Sequence, residues 1–188
     1  MLRLLHVELN KDISTCLYTA LLTDTGSFRH SNTTAVTHRI AGELINTGIN
    51  FSNIHRMVFE NKKFKKIKFC GEVISNMTSE LNGEVCIMFI PKNVIEKYKL
   101  VSSDTSDVIT FGDSIDTVEV TILIKEAENG VKVSLRSKSI VDVSKIAEGF
   151  KGGGHIRAAG FFAETNFGDI KVKLMEILEK ELIKWMAY

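Results

Sequence analysis

The sequence predicts an α/β protein of the α+β kind: a short helical part, a linking helix, and a mixed-sheet part with helices packed on it. Three observations predict this. Residues 11 to 60 carry apolar side chains at three-four spacing and no strand-like run. Residues 85 to 136 alternate apolar and polar side chains around two turn signals. Residues 170 to 186 return to a sustained helical spacing. The boundaries expected from these textures are 1–60 for the helical part, 61–76 for the linking helix and 77–188 for the sheet part.

In chain order, Ile13, Cys16, Leu17, Ala20 and Leu21 predict a first helix, capped at Asp12 and ending at Thr23. After the turn Asp24-Thr25-Gly26-Ser27, Val36, Ile40, Leu44 and Ile45 share one face of a second helix that Gly48 is placed to stop. A third is expected from Asn53 to Phe59. These helices have no sheet of their own to cover. Lys62 to Phe69, five lysines among Phe64, Ile67 and Phe69, predicts an amphipathic helix with the apolar residues buried. Asn82-Gly83 signals a hairpin before the strand Val85 to Ile90, and Pro91 suits the first turn of a following helix. Val118 to Ile124 and Val131 to Arg136 flank Glu128-Asn129-Gly130 as a second hairpin. Val143, Ile146, Ala147 and Phe150 predict a short helix, and Ile156 to Ala163 a strand. The terminal helix runs from Ile170 to Met186 with Leu174, Ile177, Leu178, Glu181 and Trp185 recurring.

The composition, 44% hydrophobic and 25% charged over 188 residues with one proline, supports a packed core and excludes a low-complexity chain. Twenty-four basic and 23 acidic side chains leave a formal charge of +1, so a polyanion would have to meet a local cluster rather than a global field. Cys16, Cys70 and Cys86 contain no Cys-x-x-Cys and read as core thiols of a protein in a reducing, cytoplasmic compartment. No apolar run reaches the roughly 20 residues that span a bilayer, so no membrane partner is expected.

The most distinctive segment is Lys151-Gly152-Gly153-Gly154-His155-Ile156-Arg157-Ala158-Ala159-Gly160. Its glycines let consecutive amides face one concavity suited to phosphate or carboxylate oxygens, with His155 at the rim. Taken alone, such a run is more often a flexible turn with a solvent-facing histidine. Upstream, alternation sends Lys132, Ser134, Arg136 and Lys138 to the face opposite Val131, Val133 and Leu135. Arg136 brings a planar fork suited to phosphate, and Ser134 or Ser137 a neutral donor; an ordinary solvated sheet face has the same pattern. Asp24 stands in a turn where a carboxylate can ligate a hard cation, although a plain turn aspartate fits the spacing equally. His6, His30, His38 and His55 are scattered singly, and no nucleophile, base and orienter set for acyl chemistry is present.

Three segments together, Leu17 to Arg29, Val133 to Lys138 and Gly152 to Gly160, resemble the DHH phosphoesterases in order and spacing. The resemblance is greatest to the RecJ-like branch that includes nanoRNA hydrolases acting also on adenosine 3′,5′-bisphosphate (pAp). It implies a short helical remnant of the DHH domain, then a linker helix and the DHH-associated domain. It also implies that Asp24 matches a metal-ligating aspartate of a two-manganese centre. Arg136 and Ser137 match a substrate-contacting pair, and Gly152, Gly153, Gly154 and His155 a phosphate-gripping loop. The first three metal motifs, including Asp-His-His, do not occur, and Leu4 to Asp12 resembles the family's lead-in to the fourth. The chain is therefore expected to begin partway through a longer protein, and to bind without turnover when alone. The implied partners are a short RNA or DNA oligonucleotide or a nucleotide phosphate such as pAp. Asp113 stands where the family often has a basic residue. Two other readings compete: a stand-alone nucleic-acid-binding module, and a dimerising structural fragment whose uncovered helices pair with a second copy.

Overall fold

The structure is a computed structural model that describes residues 8–100 and 105–186, with side chains as far as residue 183. The expectations for His6, for Leu4 to Val7 and for Trp185 lie outside the described residues or side chains. The chain divides into two compact units, Met1–Lys63 and Phe64–Tyr188.

The first unit holds α1 (Lys11–Asp24), α2 (Ala35–Asn46) and α3 (Phe51–His55), the last continuing as a π-helical turn over Arg56–Glu60. The cap of α1 is Asn10, whose side chain accepts from the Ile13 amide, and not Asp12, which lies inside the first turn. Thr34 and Thr37 cap α2 reciprocally. Tyr18, Leu22, Ala41, Leu44 and Ile49 form this unit's core. The expected apolar stripe of α2 divides: Leu44 is buried, whereas Val36 and Ile40 are exposed, because the helix leans on α1 through Ala41 and Leu44. Cys16 is exposed on α1 and is not a core thiol, whereas Cys70 and Cys86 are buried.

The second unit is a six-stranded mixed sheet in the order β1-β2-β3-β4-β6-β5 with helices on it. Its strands are β1 (Thr78–Glu80), β2 (Val85–Ile90), β3 (Val120–Ala127), β4 (Gly130–Ser137), β5 (Gly153–His155) and β6 (Ala158–Ala163). Its helices are α4 (Phe64–Ser75), α5 (Lys92–Tyr98), α6 (Ile109–Asp113), α7 (Val143–Gly149) and α8 (Phe167–Met186). β2 and β3 pair in parallel, and every other neighbouring pair is antiparallel. Both predicted hairpins form. Gly130, at φ +148, opens β4 beside the end of β6, where a Cβ would meet the Ala163 carbonyl oxygen at 2.1 Å. Pro91 is the N-cap of α5 and stands one residue before its first turn.

Alternation divides the sheet into two faces. On one, Val120, Ile122, Ile124, Val131, Val133, Leu135, Ala159 and Phe161 pack against Val143, Ile146 and Ala147 of α7 and Ile170, Leu174, Leu178 and Leu182 of α8. On the other, Cys86, Met88, Ile90 and Leu123 pack against Phe69, Cys70 and Val73 of α4, Val94 of α5 and Ile109 of α6. α4 inverts the expected amphipathicity. Phe64 and Ile67 are exposed, whereas Lys65 and Lys66 are half-buried, with Lys65 donating to the Lys99 carbonyl and Lys66 paired with Asp107. Phe69, Cys70 and Val73 set the docking angle, and the flanking loops then claim the lysines.

Candidate anion-binding face of the sheet

Among the described residues, the second face is covered only at its β2–β3 end. Toward β4, β6 and β5 it carries side chains that alternation turns away from the core, and the strand register sorts them into rows. Thr121, Arg136, Ala158 and His155 form one row, and Leu123, Ser134, Gly160 and Gly153 the next. Arg136 and Ser134 are half-buried, and His155 and Gly153 are exposed. Three of the sequence-chosen residues, Arg136, Gly153 and His155, thus come together on one face, over a floor of Ala158 and Gly160.

Ser137 does not join them. It falls on the opposite face from Arg136, where its hydroxyl donates to the Val141 carbonyl at 2.7 Å. Ser134 is the hydroxyl that register places beside Arg136. The glycine run differs from the expected concavity of consecutive amides as well. Gly153–His155 is an edge strand paired with β6, and the Gly152 amide donates to the Ala147 carbonyl at 2.8 Å. Gly152 and Gly154 are required by close packing: a Cβ would lie 2.3 Å from the Gly160 carbonyl oxygen in one case and 2.5 Å from that of Ala158 in the other. A Cβ on Gly153 would meet nothing within 4 Å, so this glycine leaves its side of the face open.

The α6 helix walls the face beside Arg136. It sits close because Gly112 has no side chain, since a Cβ there would approach the Thr121 methyl to 2.4 Å. Lys138 secures the end of α6 by donating to the Ile115 carbonyl. Arg136 donates to the Leu135 carbonyl at 3.2 Å. Burial pushes the Asp113 carboxyl above its ordinary value, while the nearby charges of Arg136 and Lys138 oppose that rise. A carboxylate here repels an anion held at Arg136. Asp113→Asn is therefore expected to strengthen binding of a nucleotide phosphate by about twofold to fivefold at low salt. Calorimetric titration at two ionic strengths checks this; weaker binding by the variant would contradict it.

One functional support escaped the sequence reading. Glu119 is 8% exposed and accepts from the amides of Ser139, Ile140 and Val141 at 3.1, 2.6 and 3.0 Å and from the Ser139 hydroxyl at 2.9 Å. Burial pushes its carboxyl up, but these donors outweigh burial and hold it below the usual range. Arg157, in the β5–β6 turn, donates to the Val141 carbonyl at 2.9 Å and to that of Ser139. The loop between β4 and α7 is thereby held by a carboxylate on its amides and a guanidinium on its carbonyls, and the turn carrying His155 is tied to it. An acid between Val118 and Val120, at the start of an otherwise apolar strand, was the available signal.

In the first unit Asp24 ends α1. Its carboxylate accepts from the Asn32 side chain at 3.0 Å, and Gly26, Ser27 and Phe28 follow in the left-handed region at φ +53, +59 and +63. Among the described residues no three His, Cys, Asp or Glu side chains gather in a way that holds a metal ion. The residues present do not fit a two-ion centre, and no chemistry of such a centre is assigned to them. His38 stacks on Phe28 at 5.0 Å, and His55 lies 3.6 Å from Glu60, both packing or surface roles.

A family model for the DHHA1 domain matches residues 82–187. The chain belongs to the DHHA1 family. The match is to the carboxy-terminal part of the DHH phosphoesterase pattern that its motifs resemble. It is 31% identical over 161 residues to the bifunctional oligoribonuclease and PAP phosphatase NrnA of Thermus thermophilus, covering 85% of this chain and 48% of that protein. It is 32% identical over 156 residues to the probable NrnA of Streptococcus mutans, covering 82% and 49%. An exopolyphosphatase-related protein from Bacteroides fragilis superposes with a TM-score of 0.84 at 26% identity, covering 91% of this chain and 51% of that one. The chain spans about half the length of the curated relatives it matches. No helix among the described residues is long and apolar enough to cross a membrane.

Proposed function

We propose that this chain is the substrate-holding part of a manganese-dependent DHH phosphoesterase that hydrolyses short oligoribonucleotides or pAp-like nucleotides. The observation that carries the reading is the shared face of Arg136, Ser134, Gly153 and His155 over a floor of alanine and glycine. Arg136 grips a phosphate through its planar fork, Ser134 and His155 add donors, and the small residues let the ligand lie against the strand. Relatives named as oligoribonuclease and PAP phosphatase support this substrate class. By resemblance Asp24 is the one described residue that matches a metal ligand of the family, and the described residues do not complete a centre around it. The linking helix leads into the DHH-associated domain, and the protein works in the cytoplasm.

The test is binding and turnover by the purified chain. Titration with pAp and with a dinucleotide is expected to show saturable, salt-sensitive binding, and no phosphate or mononucleotide is expected to be released in manganese. Turnover that a chelator abolishes would overturn the division of labour, and absence of binding would overturn the site.

A further inference from the structure

The uncovered face continues past Arg136. Four residues along β4, roughly 13 Å away at strand rise, the register places Lys125, Lys132 and Phe162 in a third row on the same side. Phe162 is 49% exposed, although its neighbour Phe161 is 5% exposed and stacks on Phe150 in the core at 4.4 Å. Packing therefore accounts for Phe161 and not for Phe162. Between the two ends, on β4, β6 and β5, lie Ser134, Gly160 and Gly153, so that on these strands no bulky side chain of the described residues interrupts the floor. Lys132 is exposed, while Lys125 is buried, its ammonium donating to the hydroxyls of Thr105 and Ser106 at 3.1 and 3.2 Å.

We propose that Phe162 and Lys132 form a second nucleotide subsite, in which a base beyond the dinucleotide held at Arg136 stacks on the Phe162 ring and its phosphate meets Lys132. The inference rests on the reading of the Arg136 end given above. An exposed aromatic ring beside a cation on a bare sheet face suits single-stranded nucleic acid, because every base has a face to stack and every linkage a phosphate to pair. Stacking tolerates any base, so the subsite adds affinity with strand length rather than with sequence. Its occupant is a single-stranded oligoribonucleotide longer than a dinucleotide.

Calorimetric titration of the full chain with pAp and with unlabelled oligoadenylates of two to six residues, at fixed salt, tests this. Affinity is expected to rise by roughly 5- to 100-fold from two to four residues, the range for one stacked base, and then to level off. Phe162→Ala should remove that rise and leave pAp binding unchanged, Phe162→Trp should retain it, and Lys132→Ala should lower the salt dependence for the tetramer alone. Thermal melting of each variant controls for folding, and the exposure of Phe162 makes an unchanged melt the expected result. If Phe162→Ala binds the tetramer as the parent does while Arg136→Ala weakens both ligands, the subsite is wrong and the proposed function stands. If Arg136→Ala changes neither ligand, the underlying reading fails with it.

Discussion

Arg136→Ala is expected to weaken binding of pAp or a dinucleotide by about 1.5 to 3 kcal/mol, roughly 10- to 150-fold, the usual worth of a charge-assisted hydrogen bond. Arg136 is half-buried on the uncovered face, and the hydrogen bond from its guanidinium to the Leu135 carbonyl leaves most of its five donors for a ligand. A lysine in its place would keep the charge and lose the bidentate geometry, so Arg136→Lys should recover only part of the affinity. Lys62→Ala is the matched control, because Lys62 is an exposed lysine of the other unit and removes the same formal charge. Calorimetric titration of the three variants decides the matter: equal losses from Arg136→Ala and Lys62→Ala would mean that net charge alone binds the ligand. Ser137→Ala should leave affinity unchanged, since its hydroxyl is committed to Val141 on the opposite side of the strand.

Glu119→Ala should be the most destabilising polar substitution in the sheet unit, at about 3 to 5 kcal/mol in urea denaturation. The change leaves three backbone amides of the 139–141 loop without their acceptor, and each buried unpaired group costs about 1 to 3 kcal/mol, partly recovered by water. Glu119→Gln keeps the shape and one carbonyl acceptor and should cost less. The pH dependence has a definite sign. The folded carboxyl is held below the ordinary value of about 4.3. Its contribution is therefore complete above that value and is lost as pH falls through the lower, folded one. Denaturation of the parent and of Glu119→Gln between pH 7 and pH 3 should converge toward the acid end. A cost below about 1 kcal/mol for Glu119→Ala would show that the loop is held by other contacts, with Arg157 the first to examine.

Local chemistry made much of the fold legible. The β3–β4 hairpin could be read because alternation and Gly130 agree, and a two-residue turn with that glycine leaves one register open to the chain. The terminal helix could be read because Ile170, Leu174 and Leu178 repeat along one side. The α2 and α4 stripes misled, since an amphipathic pattern says that one side will be buried and not which neighbour will bury it. Phe64 and Ile67 looked like core residues and are exposed, while lysines between them are tucked under loops whose positions no periodicity encodes.

The candidate site divides along the same line. Motif spacing singled out Arg136 and the Gly152 to His155 run, and the strand period already separated Arg136 from Val133 and Leu135. It also separated Arg136 from Ser137, a consequence that pairing the two as neighbours in sequence overlooked. The sequence by itself determined the strands β2, β3, β4 and β6 and which of their side chains alternate outward. Only the tertiary structure decided that β5 lies beside β6 and not in a loop. That pairing puts His155 two strands from Arg136 in the same row and leaves Phe162 uncovered. The physical reason is range: alternation and turn chemistry act within a few residues, whereas strand order and helix docking depend on which distant surfaces bury the most apolar area together.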